Sequence, residues 1–291
     1  MARLMNTESL HAFVTVANLQ SFSRAAETLH LSQSAISKRI AALEQHLKAR
    51  VFDRIGHKTK LTETGRQLYP RARQILFDLE DSQRLISTLD QVISGPLILG
   101  ASHHIGLHRL PPILKRYSQL YPDVYLEIAF LDSEQGCQKV AAGELELALV
   151  TLPLDPSPTL HCQAVWEDAL VPVVSREHEL ARLRKPGLAQ LGKVRAILPG
   201  VGTFTRILLE QRLRDLGIKV TTGLSTNYLE TIKMLVEVGL GWSLLPTTMI
   251  DQGLKILKVP QLNFSRQLGL VRHQELTLSN PAKALIRLIQ S

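Results

Sequence analysis

With 291 residues, 45% of them hydrophobic, the chain is long enough for two or three domains with sizeable cores, and it carries a formal net charge of +8. No window approaches the roughly 18 uncharged apolar residues that span a bilayer. Cys137 and Cys162 are far apart and lack a CxxC motif, which excludes a zinc ribbon and a disulfide framework. No signal sequence opens the chain, so we expect a cytoplasmic protein without membrane contact. Its cysteines are packing residues or, alternatively, a redox-sensing pair.

The first predicted elements are two helices joined by a tight turn. Four apolar residues recur at helical spacing over residues 33–47: Ile36, Ile40, Leu43 and Leu47. Ser32 stands where an N-cap belongs, and the preceding helix, over about residues 23–29, offers small and apolar packing groups. Because only His30 and Leu31 separate the two, the spacing predicts a helix-turn-helix.

The opposite face of the second helix carries short polar and basic side chains: Gln33, Ser34, Ser37, Lys38 and Arg39. Gln and Ser bond base edges, whereas Lys and Arg neutralise phosphates, so this face predicts DNA contact; the alternative is an ordinary solvated face. Residues 1–66 hold ten Lys or Arg and five acids, which is +5 of the chain's +8. A positive excess concentrated in this segment favours a polyanionic partner. A charge that served only solubility would be spread evenly along the chain.

The segment LQSFSRAAETLHLSQSAISKRIAALEQHLKARVFDR, with the following IGHKTKLTETG, resembles the N-terminal domain of LysR-type transcriptional regulators. The resemblance implies a winged helix-turn-helix over residues 1–62, whose helix beginning at SQSAIS, with Ser32 at its start, enters the DNA major groove. It also implies a short hairpin as a wing that reaches phosphates through three basic residues: Arg54, Lys58 and Lys60. Double-stranded DNA is therefore the first expected partner.

A long helix is predicted next, over about residues 64–93, and it carries a heptad pattern. Its two interleaved rows are Leu68, Ile75, Ser82 and Leu89, and Ala72, Leu79, Ile86 and Ile93. Such a seam predicts pairing with a partner helix, although the alternative is packing on its own domain. Pro70 predicts a bend near the start. LysR-type regulators pair through this helix, so the resemblance implies a linker over residues 63–94 and a homodimer or a dimer of dimers.

From residue 95 onward the pattern changes to alternating strands and helices. The segments interpreted as strands are PLILGA, VYLEIAFL, LELALV, ALVPVVS, RAILPG, WSLLP and LGLVRHQ. The alternation predicts an α/β fold with a parallel sheet covered by helices. The resemblance implies a two-lobed effector domain of the periplasmic-binding-protein type over residues 95–291. Lobe I would span about residues 95–163 and 267–291, and lobe II about residues 164–266.

Polar side chains follow several of these strands, at points where helices begin. The candidates are Ser102, His103, His104, Ser133, Thr151, Thr203, Phe204, Thr205 and Asn227. Free backbone amides and the helix dipole favour an anion there, and the cleft of LysR-type domains is lined from matching positions. We therefore predict a small, anionic effector, with Ser102, Ser133 and Thr203 as donors. The alternative is that these residues are only helix caps.

The histidines at 103, 104 and 108 allow two interpretations. Histidine clusters coordinate zinc or nickel, but no carboxylate or cysteine stands beside them in the sequence. We therefore predict neither a metal site nor a cofactor. The preferred interpretation is that His103 or His104 lies at the mouth of the cleft and bonds an acidic effector.

Together these features predict a transcriptional regulator that senses a small metabolite, with RNA polymerase as a further candidate partner. The sequence lacks GxSxG, HExxH, a P-loop and a complete GxGxxG, so no enzyme activity is predicted. One rival is a two-lobed small-molecule-binding or catalytic protein with only incidental DNA affinity. An architectural nucleoid protein is a weaker rival, because it leaves roughly 200 residues of binding-domain pattern unexplained.

Overall fold

The computed structural model describes residues 5–55, 58–88 and 92–290, with the backbone alone at residues 54, 55, 58 and 87. The chain divides into two units, residues 1–89 and 90–291, each with its own core. Within the described ranges no helix is both long enough and apolar enough to cross a membrane.

The N-terminal unit is helical, with one hairpin. Its described elements are α1 (Thr7–Leu19), α2 (Phe22–Thr28), α3 (Gln33–Leu47), β1 (Phe52–Ile55), β2 (Lys58–Leu61) and α4 (Glu63–Ser87). Each helix begins at a side-chain oxygen that accepts a hydrogen bond from the backbone; these caps are Asn6, Ser21, Ser32 and Thr62. The apolar faces meet in a core where the Phe13 and Phe52 rings lie 5.4 Å apart. Helix α3 has the predicted bounds.

The hairpin is fixed to both α3 and α4. Glu44 of α3 accepts a hydrogen bond from the Val51 amide at 2.8 Å, and Thr62 donates to the Arg50 carbonyl at 2.7 Å. Gly65 of α4 lies so close to Val51 that a β-carbon there would stand 2.2 Å from the Val51 carbonyl oxygen. Any larger residue would push α4 away from the hairpin. Helix α3, the hairpin and the start of α4 therefore form one packed block.

Helix α4 changes its surroundings along its length. Its first part packs on α1, where Ala72 is fully buried. Further along, apolar members of the predicted seam face solvent: Ile75 and Leu79 are each 42% exposed, and Ile86 is 68% exposed. Packing on its own domain therefore accounts for Ala72 but leaves the later part of the seam uncovered in the single chain.

The helix predicted over residues 64–93 is shorter in the structure. It ends at Ser87, capped at Thr88, and contains Pro70 in an early turn. Ile93, predicted as the last seam residue, instead packs against the core of the C-terminal unit, where part of its apolar side chain is removed from water. Leu89 lies outside the described residues.

The C-terminal unit follows the predicted alternation of strands and helices. Its first part consists of β3 (Gly95–Ala101), α5 (His103–His108), α6 (Leu110–Leu120), β4 (Val124–Phe130), α7 (Ser133–Ala141), β5 (Leu147–Thr151) and β6 (Leu160–Ser175). Its second part consists of α8 (Glu179–Arg182), α9 (Leu188–Lys193), β7 (Ala196–Leu198), α10 (Phe204–Asp215), β8 (Thr222–Ser225), α11 (Leu229–Glu237), β9 (Ser243–Pro246), β10 (Leu254–Ile256), β11 (Phe264–His273) and α12 (Asn280–Gln290).

Two long strands, β6 and β11, run through both lobes and pair antiparallel. β5 joins β11 in lobe I, and β9 and β10 join β6 in lobe II, also antiparallel. Only the pairs β3–β4, β3–β5 and β7–β8 are parallel among the described strands, so the prediction of a parallel sheet is wrong for the crossing strands. The reason is that the chain passes between the lobes in extended strands rather than through a helix. A bulge at Leu268 and Gly269 marks the crossing.

Several elements of lobe II were not predicted. Strand β6 begins at Leu160 rather than at Ala169, because polar residues alternate along its first half and obscure the apolar run. The strands β8 and β10 and the helices α8 and α9 are too short to show a period. Even so, each lobe has its own core, built around Leu97 and Leu149 in lobe I and around Trp242 and Leu198 in lobe II.

Candidate functional site

The face of α3 that predicts DNA contact is accessible. Four of its candidates are exposed and the last is half-buried: Ser32, Gln33, Ser34, Lys38 and Ser37. Ile36, Ile40 and Leu43 are buried on the opposite face, and the Ser32 hydroxyl accepts from the Ala35 amide at 3.1 Å. The polar face is therefore carried on a helix that is capped at its start and anchored along its length.

Three of these side chains already have polar neighbours. The hydroxyls of Ser32 and Ser34 are 2.9 Å apart, and the Ser23 hydroxyl donates to Gln33 Oε1 at 3.3 Å. Arg39, predicted to contact phosphate, pairs instead with Glu8 of α1, with Nη2 and Oε2 2.8 Å apart. It thus joins α3 to α1 whether or not it also meets DNA.

The hairpin of β1 and β2 stands where the wing is predicted. Arg54 lies opposite Thr59 in the register, and Lys60 is exposed on β2. The side chains of Arg54 and Lys58, like residues 56–57, lie outside what the structure describes. Contact of these basic residues with phosphates stays a prediction.

A cleft between the lobes of the C-terminal unit brings together most of the predicted effector residues. Eight of the nine line it: Ser102, His103, His104, Ser133, Thr151, Thr203, Thr205 and Asn227. Phe204 instead packs against a lobe I core. The cavity volume is about 60 Å³, room for a few water molecules, so the lobes are closed on each other.

Two of the three favoured donors make local hydrogen bonds. Thr203 caps α10, accepting from the helix backbone at 3.3 Å and donating to the Gly200 carbonyl at 2.8 Å. The Ser133 hydroxyl accepts from the Thr151 amide at 3.0 Å. Ser102 precedes α5 without a side-chain cap bond. The cap interpretation therefore holds for Thr203, while the Ser102 hydroxyl is best placed to meet a ligand.

Two carboxylates of lobe I bond to lobe II across the cleft. Glu134 accepts from the Phe204 amide at 2.5 Å, at the N-terminus of α10. Asp132 accepts from Asn227 Nδ2 at 2.8 Å, and Asn227 Oδ1 accepts from the Gly200 amide at 2.8 Å. We call the Glu134–Phe204 and Asp132–Asn227 contacts the latch. The carboxylates of Glu134 and Asp132 thus occupy the part of the cleft where the sequence predicted a ligand anion.

A buried ion pair forms the floor of the cleft. Asp168 of β6 faces Arg266 of β11, and their exposed fractions are 2% and 5%. Arg266 Nε donates to Asp168 Oδ2 at 2.9 Å, and Arg266 Nη1 donates to the Thr205 hydroxyl at 2.7 Å. His104 Nε2 lies 3.6 Å from Asp168 Oδ1. The floor thus links both crossing strands to the first turn of α10, and His104 of α5 lies beside it.

Comparison with known proteins identifies the family. A family model described as "Bacterial regulatory helix-turn-helix protein, lysR family" matches residues 7–66, and one described as "LysR substrate binding domain" matches residues 90–291. The chain belongs to the LysR family of bacterial regulators. It is therefore a DNA-binding transcriptional regulator with a substrate-binding domain and not an enzyme, as the sequence predicted.

Relatives of this LysR-type regulator cover nearly its whole length. It is 30% identical to a probable RuBisCO transcriptional regulator of Cyanidioschyzon merolae over 271 residues, which cover 90% of this chain and 89% of that protein. The structure of a full-length OxyR variant from Pseudomonas aeruginosa matches with a TM-score of 0.72, 23% identity and coverage of 99% and 94%. Vibrio fischeri DarR in complex with DNA matches with a TM-score of 0.57, 20% identity and coverage of 98% and 98%. The predicted fold class is confirmed.

The ionisation of the floor of this regulator's cleft follows from burial. Burial lowers the pKa of His104 more than nearby Asp168 raises it, so the imidazole is neutral at pH 7. Burial alone would raise the pKa of Asp168, but His104 and the charge of Arg266 outweigh it and lower the pKa. A neutral His104 meets an acidic effector only as a hydrogen-bond donor or through a water.

The sequence interpretation missed the charged residues of the cleft. Asp168 and Arg266 are 98 positions apart, and each stands beside other polar residues in its strand, so no local signal marks them as a buried pair. Asp132 and Glu134 flank Ser133 in the segment LDSEQG and were overlooked because acids at a helix start are common caps.

The two cysteines have the character of packing residues. Cys137 is buried, and burial raises the pKa of its thiol to about 12. Burial also raises the pKa of the half-buried Cys162. Because the thiolate is the reactive form, both thiols are poor nucleophiles at neutral pH, which favours packing over redox sensing.

Proposed function

We propose that the regulator binds an inverted-repeat DNA site as a homodimer, with α3 of each subunit in a major groove and the hairpin on the backbone. The observation that carries the proposal is the capped α3, whose exposed face holds Gln33, Ser34 and Lys38. Two-fold proteins read two half-sites, and short polar side chains at a helix start reach base edges. Action in the cytoplasm and contact with RNA polymerase at promoters belong to the same proposal.

Selection of bound sequences from a random DNA pool by the full-length protein, at about physiological salt, tests this proposal. We expect enrichment of an interrupted palindrome, because each subunit contributes one α3. Enrichment of a single, unrepeated motif would contradict dimeric reading. Binding that is equally strong on all sequences would contradict sequence reading by α3.

Lys38→Ala and Gln33→Ala are expected to weaken DNA binding in different ways. Lys38→Ala should lower affinity about 5-fold on selected and random DNA alike and reduce the salt slope by about 1, as one phosphate contact is lost. Gln33→Ala should cost about 1–3 kcal/mol on the selected site and little on random DNA. Fluorescence anisotropy at several salt concentrations measures both.

The matched control is Lys115→Ala, which removes the same charge from an exposed position of α6 in the C-terminal unit. It should leave affinity and salt slope unchanged. An equal loss on selected and random DNA for Gln33→Ala, or a loss confined to selected DNA for Lys38→Ala, would contradict the separate roles assigned to the two residues.

For the effector we propose a small polar metabolite whose carboxylate takes the place of Glu134 at the Phe204 amide. The support is chemical: the start of α10 already holds a carboxylate, and Ser102 and Thr205 offer hydroxyls nearby. Entry of a ligand would open the latch and change the relative position of the lobes. It can shift the regulator between two states only through different affinity for each.

Glu134→Ala is expected to raise affinity for small carboxylates. The substitution frees the Phe204 amide, so a ligand no longer competes with an internal anion; hydrogen bonds to charged groups contribute about 1.5–3 kcal/mol, or roughly 10- to 100-fold in affinity. Thermal-shift screening against a panel of mono- and dicarboxylates gives the measurement. Glu127→Ala, at an exposed position on β4, is the control. Weaker or unchanged carboxylate binding by Glu134→Ala would exclude an anion at this position.

A further inference from the structure

A histidine–carboxylate cluster joins the two lobes beside the cleft. His104 and His108 are one turn apart on α5 of lobe I, with ring centroids 4.9 Å apart. Glu230, in the first turn of α11 of lobe II, approaches them, and one donor atom from each of the three residues lies within 4.8 Å of the others. No carboxylate stands beside these histidines in the sequence, but the fold brings Glu230 to them from 122 positions beyond His108.

His104 is buried without satisfying its ring nitrogens. Only 6% of it is exposed, and neither Nδ1 nor Nε2 has a hydrogen-bond partner among the described residues. The 3.6 Å separation between Nε2 and Asp168 Oδ1 is too long for a normal hydrogen bond. Buried polar atoms of this kind call for an explanation, and coordination of a metal ion provides one.

We propose that His104, His108 and Glu230 bind a divalent transition metal ion, with Zn²⁺ as the representative. Two histidines at positions i and i+4 of a helix and a glutamate from another element form the ligand set of three-ligand zinc sites that keep a fourth position open. Asp168 stands behind His104, in the place where an outer carboxylate orients a metal-bound imidazole. Imidazole and carboxylate donors favour zinc, nickel or copper over magnesium or calcium.

The geometry requires only a small adjustment. Metal–nitrogen bonds of about 2.1 Å in a tetrahedron place donor atoms about 3.4 Å apart. His108 Nε2 and Glu230 Oε1 are already 3.0 Å apart. Their side chains are 33% and 38% exposed, so both can rotate, while the buried His104 provides a fixed ligand. The metal replaces the His108–Glu230 hydrogen bond with bonds to both residues.

A metal at this position ties α5 of lobe I to α11 of lobe II. The site borders the cleft, since His104 also lines it. Metal binding therefore favours the closed arrangement of the lobes, the arrangement that effector entry would open. This inference does not rest on a carboxylate at Phe204, so the two proposals fail or succeed separately.

Zn²⁺ titration of the full-length, chelator-treated protein without a polyhistidine tag tests the site. We expect calorimetry to show one saturable Zn²⁺ per chain in the wild type. His108→Ala and Glu230→Gln should each weaken binding by more than the roughly 10- to 100-fold that loss of an outer partner costs, since each removes a ligand. Co²⁺ in place of Zn²⁺ should give the strong visible absorption of a tetrahedral site, absent in both variants.

The matched control is His46→Ala, which removes an exposed histidine from α3 in the N-terminal unit. It should bind Zn²⁺ as the wild type does. Thermal unfolding of both site variants without metal, followed by tryptophan fluorescence, shows that the C-terminal unit is folded, since Trp242 is fully buried there. The absence of saturable 1:1 binding in the wild type, or equal affinity in the wild type and His108→Ala, overturns the proposal.

Discussion

The Leu79→Glu substitution is expected to convert the regulator from a dimer to a monomer. Beyond Ala72, helix α4 presents Ile75, Leu79 and Ile86 to solvent at heptad spacing, an arrangement that a partner helix would cover. A carboxylate in the middle of this seam would be buried without a partner, at a cost of several kcal/mol per dimer. Since a dimer engages two half-sites at once, affinity for a palindromic site should fall by about 100-fold or more.

Sedimentation equilibrium and DNA titration on the same samples measure these effects. Gln83→Glu, an exposed position on the outer face of α4, adds the same charge and should leave both the dimer and the affinity unchanged. Leu79 contributes little to the domain's own core, so the Leu79→Glu monomer should keep wild-type helical content. A Leu79→Glu protein that stays dimeric would show that pairing uses another surface.

The Asp168→Asn substitution is expected to destabilise the C-terminal unit by about 3–5 kcal/mol, because it leaves the Arg266 guanidinium buried with its charge uncompensated. The double variant Asp168→Leu with Arg266→Met removes both charges and should recover most of that loss. Urea unfolding followed by tryptophan fluorescence suits the measurement, since Trp242 is fully buried in lobe II. Equal losses in the single and double variants would mean that packing, rather than charge, controls stability here.

The ion pair of Asp168 and Arg266 also makes the free energy of unfolding depend on pH in the acid range. The pKa of Asp168 is lower in the folded protein than its ordinary value of 3.8. A carboxyl group whose pKa is lower in the folded than in the unfolded state stabilises the folded protein fully at pH values above its unfolded-state pKa. This stabilisation is lost as the pH falls through its folded-state pKa. The wild type should therefore lose more stability below about pH 4 than the double variant, which has no carboxylate at this position.

Local patterns sufficed to predict the helix that is proposed to contact DNA. Ser32 supplies a cap, and Ile36, Ile40 and Leu43 supply a buried stripe, so α3 begins and ends as predicted. The end of α4 was not predictable in the same way. Ile93 fits the heptad, but its contact with a core formed by distant residues determines where it lies.

In the cleft, the sequence predicted which junctions meet but not the charges that occupy them. Ser102, Ser133 and Thr203 each follow a strand, and the ends of adjacent strands meet in space. The pairing of Asp168 with Arg266, and of Glu230 with His108, depends on the register of β6 with β11 and on how lobe II closes over lobe I. No short-range periodicity encodes those long-range placements.

The contact of Gly65 with Val51 has a mechanical consequence for gene control. Because Gly65 of α4 packs directly on Val51, and Glu44 holds the hairpin to α3, a rotation of the start of α4 is expected to carry the polar face of α3 with it. In a pair of subunits joined along α4, a small change in the angle at which the two α4 helices cross would become a larger displacement between the two α3 helices. A signal from the cleft that changed this angle would therefore alter the spacing of the two α3 helices on DNA without altering either helix.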